Sequence, residues 1–191
     1  PGFTRGQNLE KIGQHAGDTS ELFFNDLRVP ADALLGGVEG QGFVQMMREL
    51  PRERLIIGVQ AVYGAKGALD ATVKYVQERQ AFGQAIGQFQ NTRFTLAQCA
   101  SDIAAAEAFL NASVAAYERG ELTPEAVSAL KLHTTEVFGR VADACLQLFG
   151  GYGYMAEYPI SRFWTDARVL RIYGGTSEIM KELVARGMLG R

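Results

Sequence analysis

The chain has 191 residues, 47% of them apolar, and a formal net charge of -2, which is ample to bury a core and offers no basic footprint for nucleic acid. Cys99 and Cys145 lack CxxC spacing, and His15 and His133 stand far apart without ligand-spaced partners, so neither a disulfide framework nor a metal centre is expected and a reducing compartment fits. No signal peptide, transmembrane run or Lys/Arg-rich amphipathic segment is visible, and the opening Pro1 suggests a processed product or a piece of something longer.

Residues 1 to about 45 read as short extended pieces punctuated by glycines and Pro30. Glu21 to Val29 is the best strand, ended by Pro30, which has no N–H to donate. Two or three strands cannot bury both faces of a sheet, so this segment is expected to need strands from elsewhere. It reads as part of a β domain, over 1–42.

From 43 onward the periodicity is helical. A short piece from Phe43 to Leu50 is followed, after Pro51, by a helix from about Arg52 to Glu78, because proline suits a helix's first turn. Its stripe is Leu55, Val59, Val62, Leu69, Val73 and Val76, while Gly58, Ala61, Ala65, Ala68 and Thr72 form a small-residue face that admits a close neighbour. A third helix runs from about Thr92 to Arg119. A fourth starts at Thr123-Pro124 and carries Val127, Leu130, Val137, Val141, Ala144 and Leu148 until Gly150-Gly151 stops it. Lys66 and Glu107 interrupt successive stripes, either as a partly buried pair or as edge residues reaching water on long stems. After a short helical piece around Ser161 to Ala167, a last helix follows Thr176, a candidate N-cap with Glu178 in the first turn. The fold class expected is mainly α: an antiparallel four-helix bundle over 43–191, preceded by a partial β segment.

Three polar or glycine-rich stretches lie at helix ends. Glu78 to Gln90 combines Arg79, suited to a phosphate, with Phe82, suited to lie on a ring system; taken alone it is more often a surface loop. Gln147 to Tyr154 holds three glycines, more than a helix stop needs, so that a flat or phosphorylated ligand can reach the backbone. Arg171 to Lys181, R-I-Y-G-G-T-S-E-I-M-K, places a double glycine before a helix start whose N–H groups suit a polar ligand. On its own it reads as a turn and a capped helix.

Together, at these spacings, the three stretches resemble the C-terminal half of an acyl-CoA dehydrogenase, one of the FAD-dependent enzymes that desaturate acyl-CoA thioesters. The resemblance covers the whole chain and is nearly continuous through Gln147, Gly150, Gly151, Gly153, Tyr154, Glu157, Arg162 and Asp166, followed by Asp166-Ala167-Arg168 and the Gly-Thr-Ser-Glu turn. It implies that Arg79, Phe82 and Gln90, with Gln147, Leu148, Phe149, Gly150 and Gly151, hold the FAD bound mainly by a neighbouring subunit. Thr176, Ser177 and Glu178 would touch the chain's own FAD. A cofactor shared between chains implies a homodimer, usually doubled to a homotetramer. The resemblance further implies an acyl-CoA substrate, fatty acid β-oxidation, electron-transfer flavoprotein as acceptor, and a bacterial cytoplasmic or mitochondrial matrix location.

Desaturation needs a carboxylate to take the α-proton. Most of the family places that glutamate where this sequence has Gly174. The long-chain and isovaleryl branches resemble this chain in placing the base on an earlier helix immediately before an arginine, which points to Glu53, with Arg54, Gly174 and Gly175 as substrate-side residues. Without the resemblance, Glu53 reads as a first-turn helix charge or a partner of Arg52 or Arg54. The Gly174 N–H remains available to the thioester oxygen. Alternatives are a non-catalytic helical oligomerisation or binding module and an acyl-CoA oxidase.

Overall fold

The structure, a computed structural model, describes residues 1–190 and divides into two compact units, Pro1–Leu50 and Pro51–Arg191. In the first unit, β1 (Phe3–Asn8) and β2 (Ser20–Phe24) form an antiparallel ladder that pairs Phe3 with Phe24 and Arg5 with Leu22. β2 is shorter than the extended stretch read from the sequence. Asp26, at φ 49°, takes the chain out of the β region before Leu27 can pair. A ladder of two strands covers neither of its faces, and Phe3, Leu22, Phe23 and Phe24 stay exposed.

Five helices are present among the described residues: α1 (Gly42–Glu78), α2 (Gln90–Glu118), α3 (Pro124–Phe149), α4 (Pro159–Val169) and α5 (Ser177–Leu189). The break expected at Pro51 does not occur, since α1 continues through it. Proline removes one backbone bond, that to the Met47 carbonyl, and its φ is compatible with a helix. Burial of Leu55, Ile57, Ala61 and Val62 on the turns that follow outweighs that loss.

In the second unit, α3 is the central helix, packed against α2, α4 and α5. The small-residue face of α1 lets α3 come close, for a Cβ on Gly64 would lie 2.7 Å from the Phe138 ring and one on Gly58 3.1 Å from Leu130. Buried hydroxyls close onto their own helices: Thr72 donates to Ala68, Ser113 to Phe109, Thr134 to Leu130 and Thr135 to Lys131. The cysteines are buried in the same core, and the Cys99 thiol is pushed up by its hydrogen bond to Cys145 and by burial. Lys66 and Glu107 form the pair, at 2.8 Å and about one-third exposed.

The caps follow the sequence closely. Thr123 Oγ1 accepts from the Ala126 N–H with Pro124 in the first turn, and Thr176 Oγ1 accepts from the Ile179 N–H at the head of α5. Gly150, at φ 57°, ends α3.

Candidate active site

The arginine and the glycine stretch at the end of α3 meet in one cleft of about 540 Å³. It is lined by Tyr75, Arg79, Gln147, Leu148, Phe149, Gly150, Gly151 and Tyr152, among others. The Tyr75 ring stacks on Phe149 with centroids 4.0 Å apart, and its hydroxyl donates to the Phe149 carbonyl at 3.3 Å, which anchors the loop to α1. The Arg79 guanidinium sits over the Tyr152 ring at 5.3 Å, a stacked cation at the cleft's edge. A Cβ on Gly150 or Gly151 would meet nothing within 4 Å, so the loop's backbone is open to a ligand. Stacked rings, open glycine backbone and a planar cation fit a flat, phosphorylated group such as the adenosine and pyrophosphate end of FAD.

Two residues read with this group do not line the cleft. Phe82 is at the tip of a hairpin made by β3 (Gln80–Ala81) and β4 (Gln84–Ala85), inside the stretch that the sequence predicts as a loop. Phe82 and Gly83 both have positive φ, 54° and 83°, as a two-residue primed turn requires. A phenylalanine in that conformation is strained, and 96% of its surface is exposed. Its nearest ring is Phe89, edge-on at 6.1 Å. Gln90 is exposed at the first position of α2.

Thr176, Ser177 and Glu178 line a second cavity, about 310 Å³, with Glu136, Arg168, Arg171, Ile172 and Lys181. Glu136 organises it by accepting from Arg171 on one carboxylate oxygen and from Ser177 Oγ on the other, both at 2.9 Å. The Ser177 hydroxyl is thus committed to Glu136. Glu178 is held below the usual carboxylate range by its own backbone N–H and the Thr176 hydroxyl, with Lys181 and Arg168 adding to the effect. The basic side chains over a helix start give this cavity the character of an anion site.

The third cluster surrounds the double glycine. Gly174 and Gly175 have φ of 66° and 104°, values that favour glycine. Arg54, in α1, donates from Nε to the Gly174 carbonyl at 3.1 Å and from Nη1 to Ser128 Oγ at 3.4 Å. Glu53 precedes it on the exposed side of α1. Burial lowers the pKa of Arg54, with the charge of Glu53 opposing. The sequence reading missed Lys131, which is fully buried and donates from Nζ to the Gly175 carbonyl at 2.5 Å. A signal for it was present, because Lys131 lies four residues after Val127 and seven before Phe138 on a face that is otherwise buried. Ser128 and Glu136 were missed as well, and no local pattern marks them. Nearby, the Tyr173 hydroxyl donates to Gln60 Oε1 at 2.8 Å and ties the turn to α1 a second time.

The family model described as acyl-CoA dehydrogenase, C-terminal domain, matches residues 40–189. The mitochondrial long-chain specific acyl-CoA dehydrogenase of Sus scrofa is 46% identical over 185 residues, covering 97% of this chain and 43% of that protein. A crystal structure of acyl-CoA dehydrogenase from Geobacillus kaustophilus superposes with a TM-score of 0.94 at 45% identity, covering 98% of this chain and 49% of that one. A glutaryl-CoA dehydrogenase from Mycobacterium smegmatis, solved in complex with FADH2, has a TM-score of 0.93 at 27% identity, covering 100% of this chain and 49% of that one. The chain therefore spans about half the length of these relatives. No helix among the described residues is long and apolar enough to cross a membrane. The match over most of the chain, the shared fold and the glycine-rich stretches at the ends of α3 and before α5 together place this chain in the acyl-CoA dehydrogenase family, as a counterpart of its C-terminal domain.

Proposed function

We propose that this chain serves a FAD-dependent acyl-CoA dehydrogenase, with Glu53 as the base that removes the α-proton of an acyl-CoA thioester. The observation that carries the reading is the bond from Arg54 to the Gly174 carbonyl. It ties the helix bearing Glu53 to the turn where most of the family keeps its glutamate, so a base lost at Gly174 is supplied from α1. On this reading residues 1–42 are the last part of a middle β domain and 43–191 the helical-bundle domain.

FAD, when bound, would supply the oxidant for removal of the β-hydride. The chain's own residues act on the other half of the reaction. The Glu53 carboxylate receives the α-proton, the Cα–H electron pair becomes the new double bond, and the backbone N–H of Gly174 holds the thioester oxygen while its charge grows. Glu53 is exposed on this chain, and its shielding from water is assigned to the substrate and the remainder of the enzyme. The cleft beside Arg79 and the cavity at Thr176 are two separate flavin-contacting regions. Separate regions suit an assembly in which the first reaches a neighbouring subunit's FAD, joined there by Phe82 and Gln90, and the second the chain's own, as a homodimer or homotetramer. Electron-transfer flavoprotein is the proposed acceptor, and the bacterial cytoplasm or mitochondrial matrix the proposed location.

The test is Glu53→Gln in the complete protein. The variant should keep its yellow flavin spectrum and lose acyl-CoA-driven bleaching by about 10²-fold or more, the usual contribution of such a base. Bleaching at the original rate would refute the assignment. A colourless preparation of the complete protein would favour a non-catalytic helical module, and oxygen uptake without an added acceptor would favour an acyl-CoA oxidase.

A further inference from the structure

Cys99 of α2 and Cys145 of α3 are free thiols in the core where these two helices pack, and their side chains hydrogen-bond to each other. A single buried cysteine is ordinarily a small apolar filler. Two sulfurs in contact are a redox couple wherever an oxidant can reach one of them. The Cys145 sulfur has a further partner in the hydroxyl of Thr72 from α1, which also donates to the Ala68 carbonyl. The bond from Cys99 favours the Cys145 thiolate, with burial opposing and Thr72 assisting, while the same bond and burial push the Cys99 thiol up. The two sulfurs are therefore unequal.

Their access is unequal as well. A cavity of about 580 Å³ lies between α2 and α3, with Cys99, Val141 and Ala144 in its lining and the exposed side chains of Phe94, Gln98 and Arg140 around it. Asp102 completes the wall, accepting from Gln98 at 2.8 Å and standing 4.0 Å from Arg140. Cys145 is fully buried behind Cys99 and outside that lining. A polar molecule little larger than water has room in such a space.

We propose that Cys99 and Cys145 are a peroxide-oxidisable dithiol: hydrogen peroxide entering the cavity between α2 and α3 oxidises Cys99, and Cys145 resolves the product as an intrachain disulfide. In the first step the Cys145 thiolate takes the Cys99 proton while the Cys99 sulfur attacks a peroxide oxygen. The S–O bond forms, the O–O bond breaks and hydroxide leaves, so the sulfur is oxidised to a sulfenic acid and the peroxide is reduced. In the second step that hydroxide removes the proton from Cys145 as water, and the Cys145 sulfur attacks the sulfenic sulfur. The S–S bond forms, the S–O bond breaks and a second hydroxide leaves. One thiol, one thiolate and one hydrogen peroxide thus give one disulfide, one water and one hydroxide. The bond would join α2 to α3 just before Gln147, where α3 begins to line the Arg79 cleft. In a reducing compartment it would be transient, because thiol exchange restores the pair. The inference is independent of the dehydrogenase reading.

The experiment exposes the complete, folded protein to hydrogen peroxide, alkylates free thiols with iodoacetamide during unfolding without reductant, and maps the peptides by mass spectrometry. Peroxide should convert the separately alkylated Cys99 and Cys145 peptides into one disulfide-linked species, and dithiothreitol should return both to alkylatable thiols. Alkylation of both cysteines undiminished by peroxide, or a link that forms only when peroxide is added to the urea-unfolded chain, would overturn the proposal. Two variants test the roles. In Cys145→Ala the sulfenic acid has no resolving partner, so dimedone added on unfolding should label Cys99. In Cys99→Ala, Cys145 should stay unlabelled after the same treatment. No dimedone on Cys99 in the first variant, or dimedone on Cys145 in the second, would overturn the assignment.

Discussion

Arg54 Nε donates to the Gly174 carbonyl at 3.1 Å and so joins positions 120 residues apart. Replacing Arg54 with Met leaves that carbonyl, and Ser128, without their donor. An unpaired group in such a place costs about 1–3 kcal/mol, and Arg54→Met should lower the urea-unfolding free energy by that order. Removal of the neighbouring cation should at the same time move the Lys131 titration above its value of about 8. Unaltered stability together with an unaltered Lys131 titration would show that the contact is idle.

Moving the base tests whether Glu53 and position 174 address the same site. Gly174→Glu combined with Glu53→Gly should restore part of the turnover lost in Glu53→Gly, with a changed preference for acyl length. Full activity is not expected. The backbone at 174 has φ 66°, which costs a non-glycine residue about 1–2 kcal/mol, and its Cβ would stand 2.5 Å from Ile57 Cδ1. Adding Ile57→Val should therefore improve the double variant. A flavin-loaded double variant with no turnover, with or without Ile57→Val, would count against a shared site.

Stability should rise on the alkaline side. The folded pKa of Lys131, about 8, lies below its ordinary 10.5, so below pH 8 the charge is present in both states and its burial cost is felt in full. Between about pH 8 and 10.5 the folded chain releases a proton that the unfolded chain keeps, which stabilises the fold progressively by up to roughly 3 kcal/mol. Denaturant midpoints measured from pH 7 to 10 should climb from Lys131's contribution, and the climb should vanish in Lys131→Met. Identical pH profiles for the two proteins would rule this out.

Phe82 occupies left-handed backbone at φ 54° with its ring in solvent, so Phe82→Gly should stabilise the chain by about 1 kcal/mol. If the ring packs on a flavin held by another subunit, the same substitution should weaken FAD retention in the complete protein. The two effects have opposite signs, and equilibrium dialysis of flavin alongside thermal melts separates them. A variant that is more stable and holds FAD as tightly as before would remove Phe82 from the flavin site.

The helices were readable from sequence because their signals are local: apolar stripes at helical spacing, Thr123-Pro124 and Thr176 at the starts, Gly150 at an end. Pro51 misled because proline is a local signal too, and the burial that overrides it is tertiary. The hairpin carrying Phe82 was hidden by its turn chemistry, an aromatic residue in a position where asparagine or glycine is usual. At the candidate site, Arg79 and Gln147–Gly151 were grouped through the resemblance, and the structure brings them to one cleft. Glu136 could not be linked to Ser177 and Arg171 from sequence, because the bonds span 41 and 35 residues with no periodic relation. Lys131 was within reach: a lysine on a buried face is a question the pattern alone poses.

Ser113, Thr134 and Thr135 each spend their hydroxyl on the carbonyl of their own preceding turn. Polar atoms so placed are satisfied whichever helix lies alongside, so they do not select a neighbour or an axial offset. That selection falls on Gly58 and Gly64, where Leu130 and the Phe138 ring occupy space that a methyl group would claim. The register of α1 against α3 is therefore written in missing carbon atoms, and Gly64→Ala should disturb it more than exchange of any of those three hydroxyl residues for a neutral side chain of like size.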